Sequence, residues 1–539
     1  MKKLLALVLT FVMVLSMAAC GNSEGGTPKT TEAKKDTAAA DNGSDTKATD
    51  AAATDAGTEA DDAGDEDEAE IVMAFYCNMA PSDTERIQDA INEITLPAIN
   101  TTVKLLPINM GSFNEQINLM ISSNEQLDLM CTFFTGPTAF ASMMSQKQLL
   151  PLNELLEEYG QDILSVMRED YMQTTTYDGK TYGVPVNKDM VSNTYYAMRT
   201  DILEETGMLE KAQNCASMQD IQDILAAVKE KTDLVPLAPA GSIGVLGFST
   251  VTLTGDFATN RTYDKVLNDY IISFTDDPYN VVCLYDTDEY QQACQLVEDW
   301  YNAGYIYADA ASSDENNYTY VASGKAFSYF FAAENSTYMD TVAQSGYDMT
   351  VVKVASAPVT TSTVNALDWV IPVTSREPEA AMKFLNLMYS NAEILDLINY
   401  GQKDVDYVVG DDGVYKFPEG KDANNTGWFI NLTWEFGNQY LAGLWDGADP
   451  NTREISKKDN ENPVISPILG FTSNSAGLEN QISAVTSAYN EYVRSLNCGV
   501  LDVDKVLPEF REKLKAAGVD DIVDAVQTQL NEWKAANNK

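Results

Sequence analysis

The chain has 539 residues, with 35 Lys plus Arg against 81 Asp plus Glu, and it contains no histidine. The missing imidazole excludes Ser-His-Asp and Cys-His nucleophile pairs, His-ligated zinc and a His general base. A formal charge of −46 leaves no basic stripe for nucleic acid or for polybasic docking to anionic lipid, so what remains is a large, acidic, soluble body.

Residues 1–20 read MKKLLALVLTFVMVLSMAAC. Lys2 and Lys3 form a short basic segment, 4–15 is apolar, and Ala18 and Ala19 precede Cys20. The apolar run is too short for a membrane span and ends in small residues, which predicts a cleaved secretory signal. The segment resembles a bacterial lipoprotein signal, in which Cys20 becomes the lipidated first residue; Met17 stands where Leu is usual. Residues 21–70 hold 15 acidic residues against 4 lysines, with no aromatic, Leu, Ile or Val. Such a tract cannot bury enough apolar surface to offset its ordering entropy, so it is expected to be a disordered linker, spanning about 40 Å.

The body begins at 71–76, an apolar run read as a buried strand. Ser82 and Glu85 have capping-box spacing before a helix with Ile87, Ile91 and Ile94 on one face. Residues 102–107 return as a strand, 113–123 form an amphipathic helix, and 127–133 are a third strand. Alternating strands and helices predict an α/β fold with a mainly parallel sheet. Ligands in such sheets bind beyond the carboxyl ends of the strands, which places Tyr76, Phe133 and Thr135 near a site. Cys77 and Cys131 each end a predicted strand. They are the pair to test for a disulfide, although six body cysteines at this spacing read more simply as buried small hydrophobes. Further on, 190–365 is read as a second α/β segment. Two C-terminal helices are lined by Leu478, Ile482, Val485, Tyr489, Val493 and Leu496, and by Val519, Ile522, Val523, Val526, Leu530 and Trp533.

Four stretches carry a family resemblance in order: the leader, then "YGVPVNKD" with "YYAMRTDIL", then "SGKAFSYFF", then "DWVIPVTSREPEAAMKFLNLMYSN". Together they resemble the sugar-type extracellular solute-binding proteins of ABC importers. "INYGQKDVDYVV", "WEFGNQYL" and "DKVLPEFREKLKAAGVDDIVDAVQTQLNEW" (504–533) resemble an extra C-terminal domain, of undefined role, carried by one subgroup. That subgroup often has Gly-Ile-Glu-Gly-Lys-His-Tyr where this chain has 401–407 as GQKDVDY. The resemblance implies a two-lobe, periplasmic-binding-protein-like (type II) fold with a hinge, plus an α-rich C-terminal region. Its expected boundaries are 71–188 for the first lobe, 189–367 for the second, 368–400 for the return to the first, and 401–539 for a C-terminal domain completing the lobes.

The implied function is capture of a solute, a neutral oligosaccharide, by a lipid-anchored monomer on the outer face of a bacterial membrane, with delivery to an ABC permease. No catalytic residue, cofactor or metal is implied. Sugars present apolar ring faces and hydroxyl edges, so a sugar cleft combines aromatic rings with amide and carboxylate groups. On the resemblance, Asp368 and Trp369 at the second crossing, Tyr195 and Tyr196 at the first, and Tyr329, Phe330 and Glu334 after the Gly-Lys segment are ligand candidates. Trp434, Glu435 and Asn438 belong to the subgroup motif and could reach the cleft from below. The competing reading is a core tryptophan at 369, a buried strand at 329–330, and C-terminal packing at 434–438. The rival functions are a secreted two-carboxylate glycoside hydrolase, a peptide receptor of the same fold, and a surface scaffold with a degenerate cleft.

Overall fold

The computed structural model describes residues 68–239 and 253–539, all within one compact unit, Asp65–Lys539. The expected signal, Cys20 and nearly all of the linker therefore lie outside the described residues.

The first sheet has five strands in the order Thr101–Asn109, Ala69–Cys77, Leu129–Cys131, Asp368–Val370 and Val184–Pro185. The first three are parallel, and Asp368–Val370 runs antiparallel to both its neighbours. Ile71 to Cys77 are all buried, as an unbroken apolar strand covered on both faces should be. The helix Thr84–Ile99 covers it with Ile87 and Ile91. The expected Ser82–Glu85 capping box is corrected: the N-cap is Asp83, without a side-chain cap. Asp83 instead accepts from Arg86 Nε at 2.6 Å, and the amides of Ser82 and Asp83 donate to the Gly427 carbonyl. A charged partner and a carbonyl from a distant loop outcompete the local cap.

The second sheet orders Met349–Ser356, Ser192–Arg199, Ala326–Glu334 and Val235–Leu237. Its centre is antiparallel, and Val235–Leu237 is parallel to Ala326–Glu334. Successive residues of the strand Ala326–Glu334 enter different cores, Phe330 one and Tyr329 and Phe331 the other, following the period of two. A third sheet was not expected from the sequence. It is an antiparallel meander of Tyr263–Leu267, Ile271–Phe274 and Asp277–Cys283, sharing one core with the helices Glu479–Asn497, Val503–Ala516 and Val519–Ala536.

The 401–539 stretch thus divides its packing. Trp428, Ile430, Leu432 and Phe436 enter the core of the first sheet, whereas Phe471 to Leu530 belong with the meander. Chain connections between the two large sheets are tied together. Val359 donates to the Val464 carbonyl at 2.7 Å and accepts from Ser466 N at 2.9 Å. Asn460, on the helix Thr452–Glu461, donates to the Lys188 carbonyl at 2.6 Å and accepts from Met190 N at 3.1 Å. Gly437 threads through a tight point, at φ +40, where an added Cβ would lie 2.2 Å from the Met388 carbonyl oxygen. Gly437→Ala is therefore expected to destabilise the protein by about 1–3 kcal/mol through overpacking. Urea denaturation would measure this, and an unchanged midpoint would contradict the packing.

Candidate functional site

Beyond the carboxyl ends of Ala69–Cys77 and Leu129–Cys131 the chain gathers five rings. Tyr76 is the hub, with ring centroids 5.3 Å from Phe113, 5.3 Å from Phe133, 5.8 Å from Phe134 and 6.1 Å from Trp434. Tyr76 and Phe113 are fully buried, Phe133 and Trp434 are half-buried, and Phe134 is 43% exposed. Phe134 and Trp434 are neighbours at 5.9 Å, tilted by 40°. A buried base with an open apolar rim is a platform for a flat, partly apolar ligand face.

The rim is positioned by what lies beneath it. Trp434 sits in the short 3₁₀ turn Thr433–Glu435. Its neighbour Glu435 is plugged into the core, accepting from Tyr76 N at 2.9 Å while its carbonyl accepts from Trp369 Nε1 at 2.7 Å. Asp368 is equally buried; its amide donates to Thr132 Oγ1 at 3.0 Å, and neither carboxyl oxygen has a partner among the described residues. Burial holds both carboxyl groups well above the usual carboxylate range. Thr135 lies exposed beside the rim, its carbonyl accepting from Asn114 Nδ2 at 3.2 Å. A cavity of about 240 Å³ opens beside Phe134, with Phe140, Asp264, Thr361, Asn365 and Phe471 among its walls.

Of the residues expected at a site, Tyr76, Phe133, Thr135 and Trp434 come together at this mouth. The structure places the others elsewhere. Trp369 is 0% exposed and packs against Phe436 at 5.9 Å, so it and Asp368 are core. Tyr196 packs against Phe330 at 4.6 Å, tilted by 33°, and bonds to the Ser328 hydroxyl at 2.7 Å, and Tyr329 is wholly buried. Strands covered on both faces leave no wall for these rings to present. Tyr195 is buried against Tyr338 at 4.8 Å and donates to Asn335 Oδ1 at 3.1 Å. Glu435 faces inward. Asn438 is a brace, donating from its amide to the Met388 carbonyl at 3.1 Å and accepting from Asn187 Nδ2 at 3.3 Å. Glu334 is partly exposed at its strand end and accepts from Thr337 Oγ1 at 3.0 Å. Phe134 and Phe113 were missed. The strand ends at Cys131, two residues before the predicted end, so residues 133–135 all lie beyond it and Phe134 reaches the rim with its neighbours.

All six described cysteines are buried free thiols, Cys77 and Cys131 included. Among the described residues no cluster of three or more Cys, Asp or Glu could hold a metal, and no helix is long and apolar enough to cross a membrane.

A family model described as "Bacterial extracellular solute-binding protein" matches residues 90–402, more than half of the chain. The chain belongs to that family. Residues 467–535 of this solute-binding protein match a second model, a domain of unknown function (DUF3502). These residues fall among the helices that share a core with the meander. A carbohydrate ABC transporter substrate-binding protein of Streptococcus pneumoniae serotype 4 is 24% identical over 496 residues, 87% of this chain and 92% of that one. Among solved structures, the N-glycan transport solute-binding protein of Streptococcus pneumoniae superposes with a TM-score of 0.72 at 22% identity, covering 87% of this chain and 100% of that one. The substrate-binding protein FusA of Streptococcus pneumoniae, in complex with kestose, gives 0.58 at 16% identity, with 87% and 100% covered. The fold is the two-lobe α/β fold of extracellular solute-binding proteins.

Proposed function

We propose that the protein captures a neutral oligosaccharide at the Phe134–Trp434 rim, closes its two lobes over it and hands it to an ABC permease, while a lipid on Cys20 keeps it at the membrane. The observation that carries this reading is the pair of exposed Phe134 and half-buried Trp434 over a buried aromatic base, at the strand ends where such folds bind ligands. Relatives named for carbohydrate, N-glycan and kestose binding support the ligand class. The net charge of −46 argues against an anionic solute. Asp368 and Glu435, the carboxyl groups beneath the rim, are sealed in the core, which favours a receptor over a hydrolase that must place two carboxylates at the scissile bond.

Titration calorimetry against neutral manno-, gluco- and fructo-oligosaccharides and a peptide library tests the reading. Wild-type protein is expected to bind at least one oligosaccharide without releasing reducing ends. Trp434→Ala is expected to weaken that binding by about 30-fold, as loss of a central aromatic anchor does, with circular dichroism unchanged. Binding of peptides alone, or wild-type affinity in Trp434→Ala, would sink it.

A further inference from the structure

The cavity beside Phe134 is distinct from the ring platform in its chemistry. At about 240 Å³ it falls below the roughly 300 Å³ at which pockets begin to take drug-sized ligands, so it suits one sugar ring rather than a chain. Phe134, Phe140 and Phe471 give it apolar walls; Asp264, Thr361 and Asn365 give it polar ones. Its far wall is the meander that sequence reading did not anticipate.

Most polar groups of this wall are already committed. Thr361 Oγ1 accepts from Gly470 N at 2.8 Å, Asn365 donates to the Thr174 carbonyl at 3.0 Å, and Lys265 is paired with Asp269 at 2.7 Å. Asp264 differs. It is 5% exposed, and the one hydrogen bond to its side chain among the described residues comes from the Ser466 hydroxyl, which donates to one carboxyl oxygen at 2.7 Å. A carboxylate can accept about four such bonds. Tyr263 beside it packs into the meander core, so strand alternation turns Asp264 to the opposite face. Burial without a cation pushes its carboxyl up to about 7, and a neutral hydroxyl donor would relieve that desolvation where an anion would aggravate it.

Resting on the oligosaccharide reading above, we infer that this cavity is a subsite for one neutral monosaccharide unit and that Asp264 is its specificity-determining residue, accepting hydrogen bonds from the sugar's hydroxyls. Sugar units carrying a carboxylate or phosphate are rejected there, and epimers that misplace a hydroxyl bind more weakly because a buried acceptor is left unpaired.

The test is calorimetry of wild type, Asp264→Asn and Trp434→Ala with the manno-, gluco- and fructo-oligosaccharide panel and matched uronic-acid oligosaccharides. Asp264→Asn is expected to bind the preferred wild-type ligand about 10-fold or more weakly, because an amide nitrogen replaces one acceptor oxygen, and to lose discrimination among epimers. Unchanged affinity and rank order in Asp264→Asn, while Trp434→Ala still loses binding, would overturn the subsite and leave the receptor reading intact. No binding by wild type would overturn both. If Asp264→Asn does not fold, a crystal of wild-type protein with its preferred ligand decides. A sugar hydroxyl within hydrogen-bond distance of Asp264 supports the assignment, and its absence overturns it.

Discussion

Replacing Trp369 with alanine is expected to cost about 3–5 kcal/mol of stability, the usual loss for a buried tryptophan, and to lower the melting temperature by roughly 10 °C. Its ring is 0% exposed and packs on Phe436, and its indole N–H ties down the Glu435 carbonyl. The cavity left behind would lie under the turn that carries Trp434. Trp369→Phe keeps most of the packing and removes the donor, and so should cost about 1–3 kcal/mol for the carbonyl left unpaired. Thermal denaturation and calorimetry on the same samples separate the two roles open to this residue. A Trp369→Ala protein that melted like wild type but lost its ligand would return Trp369 to the cleft.

Stability should also fall as pH rises from about 5 to 8. Asp368 and Glu435 are desolvated, which raises their folded acid constants well above the unfolded value near 4; Asp264 follows, at about 7. A raised folded constant means that the native state holds protons which the unfolded chain releases above pH ~4. The associated stability is complete below that point and is lost as pH climbs toward the folded constant. Each such acid contributes a slope of about 1.4 kcal/mol per pH unit over its window. Relief of repulsion among the 81 acidic residues acts in the same direction, so the decisive comparison is between wild type and Asp368→Asn. The amide cannot ionise, and the variant should be the more stable at pH 8 and show the shallower pH profile. Parallel profiles from pH 5 to 8 would mean that the Asp368 carboxyl is solvated or paired.

Local periodicity made the first strand, its covering helix and the two terminal helices legible in the sequence, because each records in a few turns which face is buried. The meander was illegible for the same reason. Its strands are short, Tyr263–Leu267 carries Asp264 and Lys265 at adjacent positions, and its partner surface is supplied by helices about two hundred residues later. At the site, aromatic residue type alone could not distinguish a ring on a rim from one sandwiched between layers. Trp434 and Trp369 look alike in sequence and differ because Glu435 anchors one turn while Trp369 occupies the middle of a covered strand. Phe134 needed the position of the strand end, which backbone pairing sets and residue pattern does not.

The distance along the chain between partners bears on the order in which the molecule can assemble. The Tyr76 amide finds its acceptor in Glu435, 359 residues later, and Val281 N in the meander is satisfied by Gln527, 246 residues later. A chain emerging N-terminus first therefore exposes the inner face of its first sheet until Trp428 to Phe436 arrive, and the meander core until the last helices arrive. Contacts of such sequence separation slow folding, and the exposed surfaces invite aggregation in the interval. The protein is thus committed to completing both of its halves at nearly the same late moment, with its C-terminal third as the closing piece.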